Sequence, residues 1–160
     1  MRQVGIIFVV ALIALIVIVT YSMSRKTGNA SSFTLTDTDG NNFSLLDFRG
    51  KVVVLDLMAT WCGPCVQEIP HLKEVQQHYG DNVVILSISV GGDSEQGLRD
   101  FKADQGATWR FAIDTDNVAT KYDVLYIPTL VIIDKNGDIQ FTHVGTTPSS
   151  TLIEEIDGLL

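Results

Sequence analysis

Apolar and polar positions follow three different patterns along this chain. The first stretch, "VGIIFVVALIALIVIVTY" (Val4 to Tyr21), carries no charge, while Arg2 precedes it and Arg25 and Lys26 follow it. As a helix those residues would span roughly 27 Å at about 1.5 Å each, close to the hydrocarbon thickness of a bilayer. The pattern predicts a transmembrane anchor over residues 1–22. A cleaved signal peptide is the competing expectation, but its apolar region usually runs about 7–15 residues, shorter than this one. Residues 23–32, "MSRKTGNASS", are small and polar and predict a flexible tether. The third pattern fills residues 33–160, the expected folded domain.

Within that domain, "KVVVLDL" (Lys51 to Leu57) and "VVILSISV" (Val83 to Val90) are short, apolar and β-branched, as strands covered on both faces should be. "TLVIID" and "IQFTHVG" form a second pair, joined through Lys135-Asn136-Gly137-Asp138, and Asn-Gly between strands signals a hairpin. "FTLTDTDGNNFSLLDF" breaks around Asp39-Gly40-Asn41-Asn42 in the same way. A helical stripe of Val66, Ile69, Leu72, Val75 and Tyr79 predicts a helix over Pro64 to Tyr79, and further helices fall near Ser94 to Gln105, Asp116 to Tyr122 and Ser149 to Leu160. Alternating strands and helices predict an α/β fold with a central mixed sheet, parallel across the helical crossovers and antiparallel at the hairpin. A length of 160 residues suits one such domain beside the anchor.

Charge narrows the partners. From Ser31 onward eight basic residues face all nineteen acidic ones, so the domain carries a formal charge near −11. It would repel nucleic acid and anionic lipid headgroups, and no nucleic-acid partner is expected. Basic residues flank both ends of the apolar stretch, so charge does not orient the anchor.

The candidate chemistry is concentrated in Trp61-Cys62-Gly63-Pro64-Cys65, which holds both cysteines of the chain. A disulfide that closes so short a loop gains little as a staple. At the start of a helix, however, unpaired N–H groups and the helix dipole stabilise a thiolate, so Cys62 is the expected nucleophile. Cys65, one turn on, is placed to resolve a mixed disulfide, and Pro64 fits the first turn, where no N–H is needed. Two cysteines supply half of a tetrahedral zinc site, and His71 and His78 stand about 10 Å apart along one helix, so neither a metal nor a cofactor is expected. Asp56, six residues before Cys62 in an apolar strand, would be costly to bury without a task. Desolvation would raise its pKa toward a range where it accepts a proton from Cys65, whereas a strand-end aspartate facing solvent is the plainer expectation.

"VVVLDLMATWCGPCVQEIP" resembles the active-site segment of the thioredoxin superfamily. The preceding "FTLTDTDGNNFSLLDFRGK" and a helix-bearing insert after Val90 resemble its membrane-tethered TlpA-like and ResA-like branch. The resemblance spans Phe33 to Leu160 and implies a thioredoxin-like fold with an N-terminal β-hairpin. It implies that Asp56 is the proton acceptor for the buried cysteine, and that Ile127-Pro128 forms a cis-proline loop whose residue 127 backbone pairs with an extended substrate. Gly63 and Pro64 would border the same substrate, and Trp61 is expected either to lie beside the thiols as an exposed apolar docking surface or, as an aromatic at a strand end, to belong to the core. Glu68 matches the branch's Glu-x-Pro; it is expected either to tune the thiols or to sit on a solvated helix face. Asp56, where many members lack an acid, and Met58, where an aromatic is common, depart from the branch.

The implied activity is a membrane-tethered thiol:disulfide oxidoreductase that reduces protein disulfides outside the cytoplasm and is itself recharged by a membrane thiol electron donor. Cytochrome c maturation, where a heme-attachment disulfide must be opened, is one destination. A peroxidase of the peroxiredoxin fold is an alternative, but its Pro-x-x-x-Thr-x-x-Cys setting is missing around Cys62. A copper chaperone on the same scaffold usually spaces its cysteines by three residues, against two here.

Overall fold

The computed structural model describes residues 28–160. The anchor expected over residues 1–22, and the tether up to Thr27, lie outside the described residues. Within the expected tether, Gly28–Asn29 form a short strand, β1, paired antiparallel with Ile139 and Asp138, and the Ala30 N–H donates to the Gly137 carbonyl at 2.8 Å. Ordered structure therefore starts before Phe33. Small polar residues carry no apolar alternation, and this pairing is made by backbone alone.

The N-terminal hairpin joins β2 (Thr34–Thr36) to β3 (Asn42–Ser44). The Asp37 carboxylate organises its turn, accepting the backbone N–H groups of Asp39 and Asn41 at 3.0 and 2.8 Å. Ser44 caps a short 3-10 turn, Leu45–Phe48, in a capping box with Asp47.

A six-stranded sheet follows. Its long strands are β4 (Val52–Met58), β5 (Val83–Ser89), β7 (Thr129–Ile133) and β8 (Asp138–Val144), with β6 (Arg110–Ile113) at one edge. The order is β1-β8-β7-β4-β5-β6; β4, β5 and β6 run parallel, while β7 and β8 run antiparallel to their neighbours. The mixed sheet is the expected one. Strand β6 is an addition to the expected elements, since four residues are too short to show a period. The turn between β7 and β8 uses Gly137 at φ 82°, a left-handed conformation that a side chain would resist.

The helices are α1 (Gly63–Tyr79), α2 (Glu95–Asp104), α3 (Val118–Lys121) and α4 (Ser149–Asp157). Ser94 caps α2 rather than belonging to it. In β4 every residue is buried, and its alternation divides the core. Val52, Val54 and Met58 pack with α1, α2 and α4, whereas Val53, Leu55 and Leu57 pack with the N-terminal hairpin and α3. Burying each such aliphatic side chain contributes about 1.5–3 kcal/mol. Asp56 lies between Val54 and Met58, so its carboxylate points to the face that α1 covers. His143, which the sequence left without a partner, pairs with Glu155 of α4 at 2.7 Å.

Candidate active site

Strand β4 ends at Met58, and the chain enters α1 through Ala59, Thr60, Trp61 and Cys62. Cys62 is the N-cap of α1, extended at φ −85° and ψ 108°, and its Sγ accepts the Cys65 backbone N–H at 3.2 Å. The two cysteines are joined as a disulfide with Cα atoms 5.2 Å apart. This is the oxidised state of the couple. Cys65 is 1% exposed and Cys62 6%, so the bond presents the Cys62 side to solvent. Gly63 and Pro64 form the exposed first turn, where a proline sacrifices no hydrogen bond.

Three loops close on that turn. The Ile127-Pro128 bond is cis, and the Ile127 carbonyl oxygen stands 3.8 Å from Cys62 Sγ. The Pro128 carbonyl accepts the Gly145 N–H at 2.8 Å, which ties the cis-proline loop to the loop before α4. From that second loop the Thr146 hydroxyl donates to the Pro64 carbonyl at 3.3 Å. In the third, the Gly91 carbonyl accepts the Trp61 indole N–H at 3.1 Å, yet the ring remains 68% exposed. An open cleft beside it is lined by Trp61, Val90, Leu125, Tyr126 and Ile127 among others, without a charged side chain.

Two buried carboxyl groups interact on the side of the sheet that α1 covers. Asp56 is 1% exposed; one oxygen accepts the Ser87 hydroxyl at 2.7 Å and the other has no hydrogen-bond partner. Ser87 in turn accepts the Trp109 indole N–H at 2.9 Å, which fixes the hydroxyl proton toward Asp56. Burial pushes the Asp56 carboxyl up to about 7, against a partial counterweight from Ser87. The solvent-facing alternative for Asp56 is thereby excluded.

Glu68 corrects the other plain expectation. It is fully buried rather than on a solvated helix face, with one oxygen accepting the Thr147 backbone N–H at 2.7 Å and the other unpartnered. Burial pushes its carboxyl up to about 7 as well; the Thr147 hydrogen bond opposes the shift and the Asp56 charge adds to it. Two buried acids that repel one another cannot both ionise easily, so near neutrality the pair holds a proton within the protein.

Thr147, Gly91 and Asp93 are site neighbours that the sequence did not reveal, because Thr147 reaches Glu68 of α1, Gly91 reaches Trp61 and Asp93 reaches Thr60 from at least thirty residues away. Among the described residues no group of three or more His, Cys, Asp or Glu converges as a metal site.

A sheet of this topology with a disulfide-bonded cysteine pair capping a helix is the arrangement of a thioredoxin-like fold, and the relatives of this chain show a thiol-disulfide oxidoreductase. The chain belongs to the AhpC/TSA family, whose sequence profile matches residues 27–142. It is similar to the thioredoxin-like protein YneN of Bacillus subtilis, 34% identical over 130 residues, covering 80% of this chain and 76% of that one. It is 34% identical over 132 residues to the thiol-disulfide oxidoreductase ResA of Geobacillus kaustophilus, covering 81% and 75%. Among solved structures, a protein assigned as the thiol:disulfide interchange protein DsbE of Chlorobium tepidum superposes with a TM-score of 0.77 at 30% identity, covering 84% of this chain and 96% of that one.

Proposed function

We propose that this chain is a membrane-tethered protein-disulfide reductase whose domain works outside the cytoplasm. The observation that carries the reading is the Cys62–Cys65 bond at the head of α1, in a domain that also buries the carboxyl groups of Asp56 and Glu68. In the reduced protein the helix end favours a Cys62 thiolate. That thiolate attacks a substrate disulfide, forming a Cys62–substrate bond and releasing one substrate thiolate. Cys65 gives its proton to the Asp56 carboxylate and attacks Cys62 Sγ, releasing the second substrate thiolate and leaving the 62–65 disulfide. Two electrons have then passed to the substrate. Glu68 tunes this step, since its charge state and that of Asp56 depend on one another. Exposed Trp61 and the Ile127 backbone offer an extended substrate its docking edge, beside Gly63, Pro64 and Pro128.

Tethering is supported by the uncharged stretch from Val4 to Tyr21. An oxidised pair has to be recharged, and a reductant in an oxidising compartment gains from staying beside a membrane thiol donor. A heme-attachment disulfide of a c-type cytochrome is the substrate to test first. The decisive experiment is a redox titration of the 62/65 couple in the full chain, with insulin-disulfide reduction by wild type and Cys62→Ser. A midpoint near that of reducing thioredoxins, about −270 mV, and loss of activity in Cys62→Ser are expected. A midpoint near the strongly oxidising end, about −120 mV, would make the protein an oxidase. Protease protection of the domain in intact cells tests its location.

A further inference from the structure

The residues leading into the cysteine pair are held along one side by the loop between β5 and α2. The Val90 N–H donates to the Met58 carbonyl at 2.9 Å. Gly91 packs so closely that a Cβ there would overlap the Ala59 methyl and press on the Trp61 ring at 3.0 Å. Asp93 makes the polar connection: Oδ2 accepts the Thr60 backbone N–H at 2.9 Å and the Ser89 hydroxyl at 2.6 Å, and Oδ1 accepts the Thr60 hydroxyl at 2.6 Å. One carboxylate thus bridges the end of β5, the loop that precedes α2 and the residue two before Cys62.

We propose that Asp93 is a positioning residue for disulfide exchange: by fixing Thr60 it holds Trp61 and Cys62 in register with the first turn of α1. The physical reason is range. Stabilisation of a thiolate by a helix end is confined to the first turn, so it depends on Cys62 keeping the extended N-cap conformation that brings Sγ to the Cys65 N–H. Without Asp93 both Thr60 donors lose their acceptor, and the β4–α1 loop keeps the Val90–Met58 and Cys62–Ala59 backbone bonds, the Trp61 indole bond to Gly91 and the Cys62 contact with Ile127, none of which engages Thr60. Burial alone would push the Asp93 carboxyl up, but the hydrogen bonds from Ser89 and Thr60 outweigh it and hold it below the ordinary range. Asp93 is therefore a charged acceptor at neutral pH.

This inference rests on Cys62 being the attacking thiol, and the test separates the two. In the reduced full chain, the pH dependence of Cys62 alkylation is compared among wild type, Asp93→Ala, Thr60→Val and Thr60→Ser, with kcat and KM for insulin reduction and a thermal melt for each. Asp93→Ala is expected to shift the alkylation midpoint up by about half a pH unit and to lower kcat/KM about tenfold. Thr60→Val should show part of both effects, and Thr60→Ser, which keeps both donors, should behave as wild type. If Asp93→Ala melts earlier but alkylates and turns over as wild type, Asp93 only stabilises the fold and the proposal is overturned. If Asp93→Ala fails to fold, Thr60→Val carries the decision with the same readouts, and wild-type behaviour there overturns the proposal. If wild-type Cys62 itself has an ordinary thiol pKa, or Cys62→Ser keeps activity, the underlying assignment of the nucleophile fails instead.

Discussion

Asp37 and Asp56 are both buried aspartates, at 6% and 1% exposure, yet their surroundings drive them in opposite directions. In the N-terminal hairpin both oxygens of Asp37 are engaged, by Asp39, Asn41 and Arg110. Burial raises its pKa, but those donors outweigh it and hold the carboxyl below its ordinary range. On the side of the sheet covered by α1, Asp56 and Glu68 each have one donor and one orphaned oxygen, and burial prevails. Burial alone thus does not decide whether a carboxyl is held below or above its ordinary range. The count of donors does.

The largest effect that sharpens this contrast is on turnover. Asp56→Asn keeps the size of the side chain and its bond to Ser87 but cannot accept the Cys65 proton. Stopped-flow reduction of a protein disulfide near pH 7 is expected to slow about 100-fold, the scale of general acid–base catalysis, while Asp37→Ala leaves that rate unchanged. Equal losses in the two variants would erase the distinction between the regions.

A second contrast is the sign of the pH dependence of stability. For Asp56 the folded value is about 7 against 3.8 in the unfolded chain, so between those values the folded state binds more protons. Stability contributed by protonated Asp56 is present in mild acid and lost as pH rises toward about 7. Asp37 and Asp93 run the other way, since their folded values are depressed: their stability is present above the ordinary carboxylate range and lost as pH falls through the folded pKa. Urea melts of the oxidised protein should show wild type about 4 kcal/mol more stable near pH 5.5 than near pH 8, about 2 kcal/mol from each raised acid, and Asp56→Asn should remove at least half of that difference while Glu68 keeps the rest. Asp37→Ala should cost about 2 kcal/mol near neutrality, because it leaves turn N–H groups and Arg110 without their acceptor. A wild-type stability that rises steadily across this window would contradict the raised pair.

Legibility followed the same division. The strands β4 and β5, the hairpin at Asn136-Gly137 and the cysteine pair at a helix start were visible because each is a local pattern. Asp56 stood out because an acid interrupts an apolar strand. Glu68 offered a signal that its charge obscured: it sits three residues after Cys65 and four before Leu72, on the buried stripe of α1. What makes that burial tolerable is a backbone donor at Thr147, 79 residues away, which no local pattern announces. Asp93 in a polar loop looked like any solvated acid, because its bond to Thr60 spans 33 residues. The edge elements β1 and β6 were hidden by brevity, being held through backbone pairing to longer neighbours.

The smallest expected effect tests the orphaned oxygens most directly. Ser87 is the hydrogen-bond donor to Asp56 and is itself oriented by Trp109. Its hydroxyl stabilises the ionised carboxylate, so Ser87→Ala removes the one influence that holds the Asp56 value down. The carboxyl should then titrate higher, by less than about one pH unit, because a single neutral donor contributes about 0.5–1.5 kcal/mol. The shift can be followed by infrared titration of the protonated carboxyl band in the oxidised protein, with Asp56→Asn identifying the band. Turnover near pH 7 should change by no more than a few-fold, since a carboxyl near 7 stays partly ionised after so small a move. A downward shift would mean that water or another donor reaches Asp56 once the hydroxyl is gone, and that its environment is set by access rather than by burial.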